Sequence, residues 1–450
     1  MLKRLINLFT GAKDSSKSTV YKNSDHNLSS EKVSQAALKV IQRLADSNHQ
    51  AYLVGGGVRD VLLDGDPKDF DVATDATPEQ VRRLFRNSRI VGRRFRIVHV
   101  RFGREIIEVT TFRSDHTGEE DQKLSSRSED GMLLRDNVFG DIESDARRRD
   151  FTVNALYFSP ITNEIFDFTG GVNDINDKTL RIIGDPQTRF KEDPVRMLRA
   201  VRFSAKLGFT IESKTAAPIK SLAPAITQVS SARLWDESLK LFMSGYSLPI
   251  FHKLEEFGLF AQLFPGSAEQ VQARASFRVF FENAMANTDT RIRSGKRVTP
   301  AFIYAVLLWP EIEARIETLK TEKLTPAEAT HQAYQQVLSR QCQFISIPKR
   351  FSTTMREIWD LQARLPRRAG QRAFRIMEHP RFRAAYDFLL LREQSGEDHQ
   401  GLGQWWTDFQ NANDVNREKM ANEQHSRGRN NSNSRRRPRR KSPSNSPDVN

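Results

Sequence analysis

The stretch from Ala51 to Thr74, AYLVGGGVRDVLLDGDPKDFDVAT, runs from a short apolar strand into three glycines and an arginine. It ends near two aspartates that flank a phenylalanine. At Gly55, Gly56 and Gly57 no side chain keeps an anion from the backbone N–H groups, and a helix starts there with Arg59 in its first turn. Asp69 and Asp71 lie two apart in a segment that reads as a strand, which puts both carboxylates on one face and Phe70 on the other. Side by side, two carboxylates repel unless a cation lies between them. Oxygen ligands of this hardness suit Mg²⁺, which keeps waters and takes substrate phosphates as its other ligands. Neither common glycine motif fits: Asp60 stands where a dinucleotide site needs a small third residue, and the Lys-Ser/Thr of a phosphate loop is missing. Alone, the Asp-x-Asp pair reads as a solvated turn; behind a glycine anion cradle it becomes a candidate site.

A third carboxylate is needed if two metal ions are to hold an attacking and a leaving oxygen. Glu108, between Ile107 and Val109, is one candidate, although it also reads as the outward residue of an alternating strand. Asp150, in RRRDFTVNAL, is the other, and beside Arg147, Arg148 and Arg149 it equally suits a salt bridge at a helix start. In EDPVRMLRAVRFSAKLGF, Asp193 and Pro194 read as a cap and a first helical residue. On that helix Arg196, Arg199 and Arg202 fall within about 120° of one another, interleaved with Val195 and Phe203. With so little polar surface beside them, these guanidinium groups require anions, either the protein's own carboxylates or a bound nucleotide.

The elements that must position these residues are legible as patterns. Val33, Ala36, Ala37, Val40, Ile41 and Leu44 repeat with helical spacing. A strand over Tyr52 to Val54, a helix over Val58 to Leu63 and a strand carrying DFDVA follow. Thr77-Pro78-Glu79-Gln80 is a capping box opening a helix. FRIVHVRF and EIIEVTTF alternate as paired strands around the turn GRE. Residues 10 to 30 read as an unstructured lead-in, residues 114 to 129 as a mobile loop, and beyond RRRDFTVNALYF the pattern turns helical. An N-terminal α/β domain of some 150 residues and an all-helical remainder are expected.

Composition narrows the class. The longest apolar run, Ala301 to Trp309, is far short of the ~20 residues that span a bilayer, so no transmembrane segment is expected and the cytoplasm is the expected location. A single cysteine, Cys342, leaves no disulfide framework and no cysteine-based zinc cluster. The net charge is +14, and residues 416 to 450, with ten Lys/Arg against three Asp/Glu, supply half of it. That tail has no aromatic residue, which suits a non-specific phosphate binder or a solubility tail.

In their order and spacing, LVGGGVRD with DFD, RRRDFTVNAL and EDPVRMLRAVRF resemble the class II nucleotidyltransferases, the family of bacterial poly(A) polymerases and CCA-adding tRNA enzymes. The resemblance covers residues 33 to 265, and the helical C-terminal part looks more like the poly(A) polymerase branch. It implies an α/β nucleotidyltransferase head of the polymerase-β type with a five-stranded sheet (31–185), then an all-α neck (186–265) and body (266–415). A flexible N-terminal segment (1–30) and a disordered basic tail (416–450) complete the expected organisation. Asp69 and Asp71 match the magnesium ligands, Asp150 the aspartate grouped with that catalytic pair, and Gly55, Gly56, Arg59 and Arg149 the triphosphate site. In the family's Glu-Asp-x-x-Arg motif, here Glu192, Asp193 and Arg196, the aspartate and arginine hydrogen-bond the incoming base, and Arg199 and Arg202 continue that face.

The implied activity is template-independent transfer of AMP from ATP to RNA 3′ ends with Mg²⁺ as cofactor. RNA is the implied partner and DNA is not; the tail is also a candidate dock for RNA-decay proteins. CCA addition to tRNA is the alternative. IVGRRFRIVHV and the basic tail favour the poly(A) branch, and the lack of a His-Asp dipeptide argues against the phosphohydrolase-fused CCA enzymes. A catalytically silent RNA-binding protein on this scaffold is the remote reading, since every carboxylate and arginine is in place.

Overall fold

The structure, a computed structural model, describes residues 18–67, 69–92, 96–114, 125–127, 133–136, 138–322 and 324–433. The chain divides into two compact units, Met1–Leu241 with Pro249–Leu263, and Phe242–Leu248 with Phe264–Asn450.

The first unit is built on strands β1 (Thr19–Tyr21), β2 (Ala51–Val54), β3 (Asp71–Thr74), β4 (Ser88–Val91), β5 (Ile97–Phe102) and β6 (Glu105–Thr111). A small separate pair, β7 (Ser125–Arg127) and β8 (Leu133–Asp136), precedes β9 (Leu156–Ser159) and β10 (Glu164–Asp167). Helices α1 (Gln35–Ala45), α2 (Gly56–Leu62), α3 (Pro78–Leu84), α4 (Ile142–Arg148), α5 (Gly171–Asn176), α6 (Pro186–Glu192) and α7 (Val195–Leu207) complete the parts that frame the site. Eight strands form one mixed sheet in the order β1-β10-β9-β2-β3-β6-β5-β4, and within it β3 and β6 run parallel while every other neighbouring pair is antiparallel.

Local sequence accounts for much of this. Ser34 caps α1 through Ala37 N–H, and the helix buries Ala36, Ala37, Val40, Ile41 and Leu44, the expected stripe. The capping box at Thr77 and Gln80 opens α3. Two expectations need correction. The sheet has eight strands, not five, partly because Leu156–Ser159 is buried on both faces and gives no alternation to read. The lead-in is not unstructured throughout: β1 pairs with β10, and Leu28 is 1% exposed.

In the second unit, helices Pro300–Thr321, Pro326–Phe344, Lys349–Arg364, Phe382–Gln394 and Leu402–Asn411 bury Trp359 and Trp406, whose indole N–H groups donate to the Ala305 and Leu365 carbonyls. The final helix, Asp414–Asn433, corrects the boundary expected at residue 416. Ala421 is 1% exposed in a cluster with Leu365, Trp406 and Phe409, and its carbonyl accepts from Gly370 N–H at 3.0 Å. A polar, charged composition hid that one-sided apolar contact. The rest of the expected tail, 434–450, and most of the loop expected at 114–129 lie outside the described residues. Among the described residues no helix is long and apolar enough to cross a membrane.

Candidate active site

Gly55 ends β2 and caps α2 with φ 77° and ψ −136°, a conformation open in practice only to glycine. This lets α2 start two residues earlier than its apolar pattern suggests. A Cβ at Gly55 would lie 3.7 Å from Arg149 Nη1 and 3.9 Å from Asp71 Oδ2, so the bare glycine marks the place where that cation and that carboxylate converge. At Gly57 a Cβ would sit 3.1 Å from Phe70 and 3.3 Å from the Asp69 carbonyl. The close approach of α2 to this turn pins Phe70 at 6% exposed. It also leaves exposed Asp69 in the turn before β3, not on the strand as its spacing from Asp71 suggested.

Register supplies the next carboxylate. Asp71 pairs with Glu108 across the parallel β3–β6 junction, and Glu108 pairs with His99 on β5. Burial, reinforced by the Glu108 and Asp69 charges and offset by Arg149, pushes the Asp71 carboxyl up to about 6. Such a site favours an added cation. Among the described residues no three His, Cys, Asp or Glu side chains are grouped to enclose a metal alone. The buried Asp71 carboxylate, in register with Glu108, suits a divalent cation that completes its shell with waters and phosphates.

Of the arginine run, Arg149 is the one brought to this site. Its Nε and Nη2 donate to Asp145 Oδ2 at 3.2 and 3.0 Å, and Nε also donates to the Tyr157 hydroxyl at 2.9 Å. Arg147 instead pairs with Glu143 on the same helix, and Arg148 donates to the Ser114 carbonyl.

Arg59, Asp150, Arg199 and Arg202 form a second cluster. Arg59, only 2% exposed, donates to Asp60 and to Asn154 Oδ1. Asn154 Nδ2 donates to Asp150 Oδ1 at 3.2 Å. Arg199 Nε donates to Asp150 Oδ2 at 2.7 Å, and the Phe151 N–H donates to Oδ1 at 2.8 Å. Burial opposes the charge on Asp150, but Arg199 and these donors outweigh it and hold the carboxyl down at about 2. Arg59, Arg199 and Arg202 all lie over the Phe203 ring, with Arg202 closest at 4.4 Å. Arg202 Nε is buried without a hydrogen-bond partner among the described residues, and burial together with the Arg199 charge lowers that guanidinium to about 10. Glu237 and Asp150 act on it only through their charge, without a hydrogen bond to it among the described residues.

The base-reading pair expected from the sequence is held partly within its motif and partly from outside it. Both Asp193 oxygens accept from Arg233, at 2.8 and 2.7 Å, and Oδ1 also accepts from Val195 N–H. Arg196 Nη1 donates to Glu192 and to the Arg189 carbonyl. Sequence reasoning missed Arg233, Asn154, Asp145, Tyr157 and His99. Asn154 and Tyr157 lie inside a quoted motif, but Arg233 carries no local signal.

A turn of bare backbone and a row of carboxylates meet where β2, β3 and β6 adjoin, and the known proteins that match the chain are nucleotidyltransferases. Residues 51–181 match the poly A polymerase head domain, 208–270 the probable RNA and SrmB-binding site of polymerase A, and 322–442 the polymerase A arginine-rich C-terminus. Poly(A) polymerase I of Escherichia coli O6:H1 is 48% identical over 90% of this chain and 88% of its own length. That of Haemophilus influenzae is 44% identical over 90% and 91%. The CCA-adding enzyme of Bacillus subtilis is 38% identical over 52% and 57%. Among solved structures, the Bacillus stearothermophilus CCA-adding enzyme in complex with CTP aligns with a TM-score of 0.56 and 26% identity, covering 82% of this chain and 80% of that one. The chain belongs to the poly(A) polymerase I family and is an enzyme of the nucleotidyltransferase class.

Proposed function

We propose that the chain adds AMP from ATP to RNA 3′ ends without a template, and that Asp69, Asp71 and Glu108 are its metal-binding carboxylates. The observation that carries this reading is the in-register pair of Asp71 and Glu108 beside Gly55 and Arg149. Mg²⁺, when bound, supplies positive charge to the reacting phosphate and lowers the pKa of the attacking hydroxyl. The chain's own part is positioning. Gly55 and Gly56 bare the N-terminal N–H groups of α2 to the triphosphate, and Arg149 offers the anion a cation that Asp145 and Tyr157 hold in place. The 3′-hydroxyl attacks the α-phosphorus and pyrophosphate leaves.

Asp150 belongs to the support of this site in our reading, because its oxygens are taken up by Arg199, Asn154 and Phe151. Arg202, whose buried Nε has no hydrogen-bond partner among the described residues, is the member of the α7 row best placed to take an anion from the nucleotide. Asp193 and Arg196 read the adenine edge, and the basic residues after 433 hold RNA phosphates. The test is an assay of the purified enzyme with each of the four nucleotides separately, on a generic RNA and on a tRNA lacking its CCA end. Long tails from ATP alone on the generic RNA support the reading. Addition that stops after C, C and A on the tRNA replaces it with CCA synthesis.

A further inference from the structure

Four residues stand in one row across neighbouring strands: Asp71 on β3 pairs with Glu108 on β6, Glu108 with His99 on β5, and His99 with Arg89 on β4. Paired residues of adjacent strands project to the same face, so this row is fixed by register and needs no long-range adjustment. Within it, His99 Nε2 lies 3.3 Å from Glu108 Oε1, and His99 Nδ1 is buried with no hydrogen-bond partner among the described residues. A buried N–H left unmatched costs more than a buried lone pair that is simply unused. Nε2 is therefore the nitrogen that carries the proton, and it faces Glu108 Oε1 across the 3.3 Å contact. Glu108 itself is 47% exposed and the imidazole 22%, so the carboxylate is reached by solvent while its inner contact is covered. A half-exposed glutamate left to itself would sample several rotamers.

We infer that His99 is a positioning residue: its Nε2–H fixes the Glu108 carboxylate beside Asp71 and so presets the third acidic ligand of the metal site. The inference rests on the proposed role of Glu108. It concerns a residue that lies within FRIVHVRF and IVGRRFRIVHV but takes no role from the sequence, and it accounts for a histidine placed between a carboxylate and Arg89 in a strand otherwise read as simple alternation. His99 touches no reacting atom. It acts through Glu108, and its whole effect must pass through that side chain.

The test uses full-length protein and measures Mg²⁺ binding by calorimetry in the presence of a non-hydrolysable ATP analogue, beside the Mg²⁺ dependence of AMP incorporation. His99→Leu, which removes the donor and keeps an apolar filling, should raise the Mg²⁺ dissociation constant by about threefold to tenfold, the net worth of one ordinary hydrogen bond. His99→Gln, whose amide nitrogen reaches the place of Nε2, should recover most of it. In a Glu108→Gln background His99→Leu should change nothing further, because coupled residues are non-additive. Additive losses in that double variant, or an unchanged constant in His99→Leu, overturn the inference. Unchanged Mg²⁺ binding in Glu108→Gln alone overturns the reading of Glu108 beneath it. Circular dichroism of each variant separates loss of fold from loss of ligand geometry.

Discussion

Replacing Asp150 by Asn tests whether this aspartate acts on the reaction or on the framework. The carboxylate is 11% exposed and takes a charge-assisted bond from Arg199 together with bonds from Phe151 N–H and Asn154. Its pKa falls from 3.8 to about 2 in the fold, which corresponds to roughly 2 to 3 kcal/mol of stabilisation at neutral pH. Removing one partner of a buried pair costs ~3–5 kcal/mol, and an amide that still accepts hydrogen bonds should sit at the lower end. The expected loss is therefore about 2 to 3 kcal/mol, or roughly 30- to 150-fold in any opening that breaks the pair. Hydrogen exchange followed by mass spectrometry on peptides covering Phe151 and α7 reads that opening directly. Because the folded pKa is depressed, the stabilisation is present above about pH 4 and is lost as pH falls toward about 2, so the gap between wild type and variant should close over that window. Equal exchange in the two proteins at pH 7, with activity abolished, would refute the framework role and return Asp150 to the chemistry.

Three further outcomes are expected. Asp71→Ala should leave the circular dichroism spectrum unchanged and reduce AMP incorporation at least ~100-fold, since metal charge stabilisation is worth several kcal/mol; activity near wild type would remove Asp71 from the site. Arg233→Ala, which removes the guanidinium from both Asp193 oxygens, should lower the preference for ATP over the other triphosphates while the Mg²⁺ requirement stays unchanged; an unaltered preference would leave that pair a structural bond only. Truncation after Asn433 removes six Lys/Arg and should flatten the slope of log affinity against log salt for single-stranded RNA by up to ~4, at ~0.7 per phosphate contact. Cutting after Val415 would instead strip Ala421 from its cluster and confound the comparison.

What could be read from the sequence follows the range of the interactions. The glycine turn, the Asp-x-Asp pair, the capped helices and the arginine row on α7 are all local, and each can be recognised within about twenty residues. Which residue answers which is not local. Glu108 stands opposite Asp71 only because β6 lies parallel to β3, and Arg233 meets Asp193 from forty residues away. Arg149 meets Asp145 locally, four residues back at the end of α4, but its bond to Tyr157 requires the turn from α4 into β9. The buried strand Leu156–Ser159 and the edge strand Thr19–Tyr21 were missed for opposite reasons, one apolar on both faces and the other mostly exposed.

The bond from Gly370 N–H to the Ala421 carbonyl makes the last helix an outrigger. From that fixed point the chain climbs twelve residues to Asn433, ~18 Å at 1.5 Å per residue. The basic run of the sequence follows Asn433, so its distance from the Ala421 anchor is counted along that helix. Inserting or deleting one helical turn after Ala421, ~5.4 Å, would therefore change how far the first residue of that run can lie from the Gly370–Ala421 bond.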